Sequence, residues 1–270
     1  MPSILVTGVS SGLGQALAAR AHAAGWRVLG TVRSVLDPAA YGLASKITLL
    51  ALDLGDADAV DRFAARLLAD HGAPDVVVNN AGYTLYAPAE EVGPQSLRDI
   101  FQVNTFAPFE LTQALLPAMR ERGSGTVVMV TSLGGRLVFP FFSVYNASKH
   151  ALEGLSEGLW HEVKPFGIRV KAVEPGYIET PIYRVMEERA KPTGPYAPFL
   201  TAMNAFSEGV TKRTSPEHAA EEVWRAILDD SDRLRYPVAA YARPLLAARR
   251  LAGSQAFMRF MHGRWMGPKP

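Results

Sequence analysis

Short runs of apolar, largely β-branched residues alternate along the chain with longer segments in which apolar positions recur at helical spacing. The runs Ser3–Thr7, Trp26–Val32, Ile47–Leu52, Asp75–Asn79, Gly125–Thr131, Arg169–Val173 and Leu234–Val238 predict strands. Between them, helical patterns cover Gln15–Ala24, Ala57–His71 and Ser96–Met119, start again at Tyr145, and cover Pro216–Asp229, where Ser215 is an N-cap and Pro216 fills the first helical position. This alternation predicts an α/β fold, a doubly wound parallel sheet of about seven strands in one domain spanning 1–270. Two stretches break the pattern. Residues 177–214 are rich in Pro, Tyr, Phe and Met with weak periodicity, and predict a substrate lid bearing Tyr183, Phe199, Met203 and Phe206. Residues 240–270 predict two helical pieces carrying Leu245, Leu246, Leu251, Phe257, Phe260 and Met261 beside Arg249, Arg250, Arg259 and Arg264.

Composition narrows the chemistry. With 48% hydrophobic and 20% charged residues the chain has the balance of a globular domain. It has no cysteine, so disulfides, thiolate nucleophiles and cysteine metal sites are excluded, and its six histidines show no ligand spacing. No metal site is expected. No apolar run approaches the ~18 residues of a transmembrane helix, and no signal-peptide pattern precedes the first strand, so a cytoplasmic setting is expected. Net charge is +2, yet after Asp232 there are eight Lys or Arg and no acidic residue. A nucleic-acid partner is not expected. The basic, apolar tail is read as packing on the body or on a second subunit in preference to a membrane surface.

The first strand breaks into Gly8-Val9-Ser10-Ser11-Gly12-Leu13-Gly14 before a helix. Such a turn lets backbone approach a pyrophosphate, whose charge the helix N-terminus attracts. The same residues also match a G-x-S-x-G nucleophile elbow with Ser10 as nucleophile, but that elbow belongs after several strands, and it leaves Gly14 unexplained. The second strand ends in Val32-Arg33, with an arginine where a free ribose 2′-hydroxyl would ask for an acid. NADP(H) is therefore expected over NAD(H), with NAD(H) retained as the other cofactor. Tyr145 and Lys149 lie one turn apart on a helix face, so the ammonium can stabilise the phenolate. Ser132 ends a strand, where its hydroxyl can project from the carboxyl edge of the sheet.

Thr7-Gly8-x-x-x-Gly12-x-Gly14, Asn79-Asn80-Ala81-Gly82, Asn104, Ser132, Tyr145-x-x-x-Lys149 and Pro175-Gly176, in that order and spacing, resemble the classical short-chain dehydrogenase/reductase family over roughly residues 3–180. The resemblance implies a Rossmann-type fold and interconversion of a ketone or aldehyde with an alcohol. It implies Tyr145 as acid/base, Ser132 as its hydrogen-bonding companion, and Lys149 lowering the tyrosine pKa and holding the nicotinamide ribose. Asn104 is implied to sit at a local helix bend with a water link to Lys149. By the same resemblance Asp53 and Leu54 meet adenine, Asn80, Ala81 and Gly82 line the cofactor, Ile178 holds the carboxamide, and Thr180 holds the pyrophosphate beside Pro175 and Gly176. It further implies a homodimer or homotetramer. The apolar run Leu137–Phe142 and the lid point to a lipophilic steroid-, retinoid- or acyl-like substrate, and Glu174-Pro175-Gly176 leans toward the hydroxysteroid and retinol dehydrogenase-like branch. A 3-oxoacyl or small-ketone reductase, and a non-catalytic dinucleotide-binding redox sensor, are the other readings.

Overall fold

A computed structural model describes residues 1–34, 43, 45–180, 194–208 and 213–266, the side chains of 205–208 and 265 excepted. Seven strands form one parallel sheet: β1 (Ser3–Val6), β2 (Arg27–Val32), β3 (Thr48–Ala51), β4 (Val76–Asn79), β5 (Gly125–Val130), β6 (Ile168–Pro175) and β7 (Arg235–Val238). Their order is β3-β2-β1-β4-β5-β6-β7. The sequence expectation of a doubly wound α/β sheet holds.

Every residue of β1, β4 and β5 is buried. Both faces are covered, which is why these strands read as continuous apolar runs. On one face, Ile4, Val6, Val76, Val78, Val128 and Val130 pack under α1 (Gly12–Ala23) and α7 (Pro216–Leu228), through Leu13, Leu17, Val223 and Trp224. On the other, Leu5, Val77, Val127 and Met129 meet α2 (Ala57–His71), α4 (Ala107–Arg122) and α5 (Ser143–Val163), through Phe63, Leu111, Leu115 and Leu159. The period-2 alternation within each strand divides the core between the two layers. The caps behave as the sequence suggests: Ser215 accepts from the His218 N–H and Pro216 opens α7.

One helical pattern is interrupted, at the place where the resemblance implied a local bend at Asn104. The pattern read as continuous over Ser96–Met119 is α3 (Pro94–Phe101) and α4 joined by a π-turn over Gln102–Phe106. The extra residue in that turn carries Asn104 inward, and its side chain is fully buried.

Besides α7 and β7, the segments after β6 include α6 (Ala197–Glu208), α8 (Ala242–Ala252) and α9 (Ser254–Trp265). Leu200 and Met203 from α6 join Phe257 and Met261 from α9, with Leu133, Leu137 and Phe141 beyond the carboxyl end of β5, in a third apolar cluster. Phe199, Leu245 and Leu246 pack against it. Of the tail's six named apolar residues, Phe257 and Met261 are thus buried and Leu245 and Leu246 half-buried, whereas Leu251 is 88% and Phe260 64% exposed. Tyr183 and the side chain of Phe206, expected in the lid, lie outside the described residues. Among the described residues no helix is long and apolar enough to cross a membrane.

Leu17 is fully buried between α1 and the sheet. Leu17→Ala is expected to lower unfolding stability by about 2–5 kcal/mol in chemical denaturation; a variant as stable as the parent would contradict this packing.

Candidate active site

The strand order reverses between β1 and β4, and at this switch point a crevice opens beyond the carboxyl ends of the strands. It is a cleft of about 560 Å³. Its floor is the turn after β1. Gly8 and Gly12 have φ of +72° and +58°, conformations that favour glycine. A Cβ on Gly14 would lie 2.2 Å from Gly8 O and 2.4 Å from Asn80 Nδ2, so this position must be bare for α1 to start so close to β4.

Side chains from β1 and β4 lock the turn. Thr7 Oγ1 accepts from the N–H groups of Asn80 (2.9 Å) and Ala81 (3.0 Å). Asn80 Nδ2 donates to Thr7 O (2.9 Å) and Gly8 O (3.2 Å). Ser11, at the N-cap of α1, makes no side-chain capping bond, and the first turn carries no acidic residue. Those N–H groups and the positive end of the helix therefore suit a pyrophosphate.

At one end of the cleft lie Val32, Arg33, Asp53 and Leu54. Arg33 is exposed, and Asp53 Oδ1 accepts from the Gly55 N–H at 3.0 Å. At the other end are Ser132, Tyr145 and Lys149, with Pro175, Gly176, Ile178 and Thr180 forming the rim. That rim is pinned: the Gly176 N–H donates to Val238 O at 2.9 Å and the Glu179 N–H to Thr214 O at 2.9 Å. Thr180 Cγ2 would lie 3.1 Å from a Cβ on Gly12, so it faces the glycine turn.

Ser132 opens a short turn after β5 and accepts from the Gly134 N–H at 2.9 Å. Gly134 allows this turn to close on α5, because a Cβ there would lie 3.1 Å from Tyr145 Cε1 and 3.3 Å from Ser132 Oγ. Burial pushes the Tyr145 phenol up, and its hydrogen bond with Ser132 opposes that shift. Lys149, expected to lower the phenol pKa, donates from Nζ to Val130 O at 2.9 Å, and burial draws this lysine down to about 8, with Glu153 opposing.

Asn104 is the one expected site residue that does not line the cleft. Its amide clamps Tyr83, accepting from Tyr83 N–H at 3.0 Å and donating to Tyr83 O at 2.9 Å, and reaches Ser148 Oγ at 3.2 Å. Ser148 in turn bonds Tyr145 O at 2.7 Å. The side chain therefore acts as a brace between the π-turn, the cleft wall and α5. Asn104 Oδ1 and Lys149 Nζ would lie 2.9 Å and 3.5 Å from a Cβ on Gly82, so they converge on one glycine.

All the other expected residues, Gly8, Ser10, Ser11, Gly12, Leu13, Gly14, Asn80, Ala81 and Gly82 included, line the cleft. Sequence reading missed Thr31, Leu52, Tyr83, Thr84, Val103, Val130 and Thr131, which also line it. Most directly precede or follow a named residue at a strand end, and that adjacency was the available signal. No histidine is among the described lining residues, so the Ser10–His pair that a nucleophile elbow needs is not formed there, which counts against the hydrolase reading. No grouping of three or more potential metal ligands occurs among the described residues.

Gly14→Ala is expected to weaken NADPH binding at least tenfold in a fluorescence titration, since the clash with Gly8 O must displace the pyrophosphate turn. Unchanged affinity would contradict that role for the turn.

Residues 2–191 match the short chain dehydrogenase family. The chain is 30% identical over 262 residues to the uncharacterized oxidoreductase YbbO of Escherichia coli, covering 97% of this chain and 94% of that one. Among solved structures, a short-chain dehydrogenase from Streptomyces avermitilis superposes with a TM-score of 0.81 at 37% identity, over 98% of this chain and 96% of that chain. A metagenomic short-chain oxidoreductase in complex with NADP superposes with a TM-score of 0.69 at 27% identity, over 88% and 96% of the two chains. The chain belongs to the short-chain dehydrogenase/reductase family and is an NAD(P)-dependent oxidoreductase.

Proposed function

We propose that the protein is an NADP(H)-preferring oxidoreductase that interconverts a lipophilic ketone or aldehyde and its alcohol, with Tyr145 as acid/base. The hydrogen-bonded Ser132–Tyr145 pair at the cleft wall carries this reading. A bound reduced nicotinamide would supply hydride to the carbonyl carbon. In that direction Tyr145 gives its proton to the carbonyl oxygen as negative charge develops there, and Ser132 donates a hydrogen bond to the same oxygen. Alcohol oxidation reverses each transfer, with the phenolate taking the proton.

Lys149 has further ammonium donors beyond the one held by Val130 O, and these suit the ribose hydroxyls. Once the phenolate forms, its cation is the natural counter-charge. Asn104 acts on this set through Ser148 and Tyr83. Support for NADP(H) comes from Arg33 at the end of β2, where a guanidinium meets a 2′-phosphate and Val32 offers no acid to a free hydroxyl. The NADP complex of the metagenomic relative is consistent with it.

An apolar substrate is supported by the cluster of Leu133, Leu137, Phe141, Leu200 and Met203 beside the catalytic pair. Phe142 links this cluster to the pair, with its ring 6.3 Å from that of Tyr145. Phe141 has a φ of +65°, a strained conformation for an aromatic residue and one that concentrates at functional sites. The described parts of 177–214 and the helices α8 and α9 would close over that substrate. The homo-oligomer and the cytoplasmic setting remain part of this proposal, the latter supported by the lack of cysteine.

Tyr145→Phe is expected to lower turnover of a lipophilic ketone by at least about 100-fold while NADPH binding stays nearly intact. Normal turnover by this variant would remove the proton-donor role. Arg33→Ala is expected to weaken NADPH by about tenfold and leave NADH almost unaffected, as expected for one lost charge-assisted bond. Equal losses for the two cofactors would show that Arg33 does not read the phosphate.

A further inference from the structure

Behind the Lys149 wall of the cleft lies a group of charges, buried at Glu153 and Glu174 and open to solvent at Glu157 and Arg136, that the proposed reaction does not use. Glu153 sits one helical turn below Lys149 on the same face of α5, with its side chain 5% exposed. Its Oε2 accepts from Arg235 Nε on β7 at 3.0 Å. Among the described residues nothing donates to its other oxygen, Oε1. Glu174, on β6 and 1% exposed, binds Arg136 Nη1 at 2.8 Å and lies 3.6 Å from Arg235 Nε. Glu157, one further turn along α5, takes the other side of the Arg235 guanidinium. Gly135 lets the turn after β5 lie flat on this helix face, because a Cβ there would come within 3.0 Å of both Glu153 Cγ and Lys149 O.

We propose that Glu153 is a positioning residue for the reaction, acting through Lys149: gripped by Arg235 from behind, its carboxylate holds that ammonium charged and in place at the cleft wall. A buried ammonium is costly unless a nearby anion compensates it, and the Lys149 bond to Val130 offers only a neutral carbonyl. Glu153 is the carboxylate that shares its helix face. Its unpartnered Oε1 leaves it only half satisfied by Arg235, so charge remains available to the lysine. The groups facing Glu153 are Lys149 and Glu157 on α5, Arg136 after β5, Glu174 on β6 and Arg235 on β7. Lys149, Arg136 and Arg235 balance Glu153, Glu157 and Glu174. Deprotonating Lys149 leaves this pocket net negative, and Glu174, already pushed up by burial and by Glu153, is then the group placed to recover a proton.

Glu153 and Arg235 should therefore move the Lys149 titration in opposite directions. The proposal rests on the role given to Lys149 above, and the test separates the two. In protein labelled with ¹³Cε-lysine, the Lys149 signal is assigned by its loss in Lys149→Met, and its midpoint is followed by NMR. Glu153→Gln is expected to lower that midpoint by about one pH unit, and Arg235→Gln to raise it by a similar amount. Glu153→Asp is expected to restore it most of the way. The alkaline limb of kcat/KM for NADPH should move with the midpoint in each variant.

A Lys149 midpoint unmoved by either substitution would overturn the proposal, whatever happens to stability or turnover. So would a midpoint that moves while the alkaline limb stays fixed. If Glu153→Gln does not fold, Arg235→Gln decides alone, since its side chain is 30% exposed and an absent upward shift refutes the coupling. Lack of turnover by the parent protein would instead refute the reading of the cleft, and the lysine titration would still report on Glu153.

Discussion

The close approach of β1 and β4 at their carboxyl ends sets the rest of the site. Thr7 and Asn80 tie the two strands together just where their connections diverge to opposite faces of the sheet. That tie holds the glycine turn against Ala81, brings the bare N-terminus of α1 to the crevice, and leaves Gly14 no room for a side chain. Each bond is modest alone, but together they fix a loop whose backbone must meet a charged ligand. The remaining strands extend this edge, so Arg33 on one side and Ser132 on the other end up along one cleft.

Electrostatics at the two ends of the cleft differ. The end bearing Arg33 and Asp53 is open to solvent. At the other end Ser132 and Tyr145 are half-buried, and the wall behind them is dry: Lys149 is 5% exposed and Asn104 fully buried. A dry wall strengthens each polar contact aimed at a developing oxyanion, and it also makes any unbalanced charge costly. The Tyr145 phenol shows that tension, raised by burial and eased by Ser132. The charges of Glu153, Glu174, Arg136 and Arg235 behind the wall address the same problem at Lys149.

The middle of the sheet was legible because β1, β4 and β5 are buried on both faces, and the glycine turn, Ser132, Tyr145 and Lys149 because strand ends and helix turns place them by local rules. Other parts depend on tertiary register that a linear pattern does not carry. Thr7 reads as one more β-branched strand residue, yet it is a clamp with two donors on its hydroxyl. By periodicity alone Asn104 reads as a face position of a continuous helix; the bend came from the resemblance, and the π-turn turns the side chain inward. Arg136, Glu174 and Arg235 come from three separate elements and meet only because β5, β6 and β7 are neighbours. In the tail, apolar spacing identified helices but not which residues pack: Phe257 is buried and Phe260 exposed three residues later.

The central claim is that this cleft holds a nicotinamide dinucleotide with its reactive ring beside Ser132 and Tyr145. Titrating the purified protein with NADPH and NADH in parallel, and following nicotinamide fluorescence, tests it most directly. The account predicts saturable binding of both with a clear preference for NADPH. Binding of neither would contradict it.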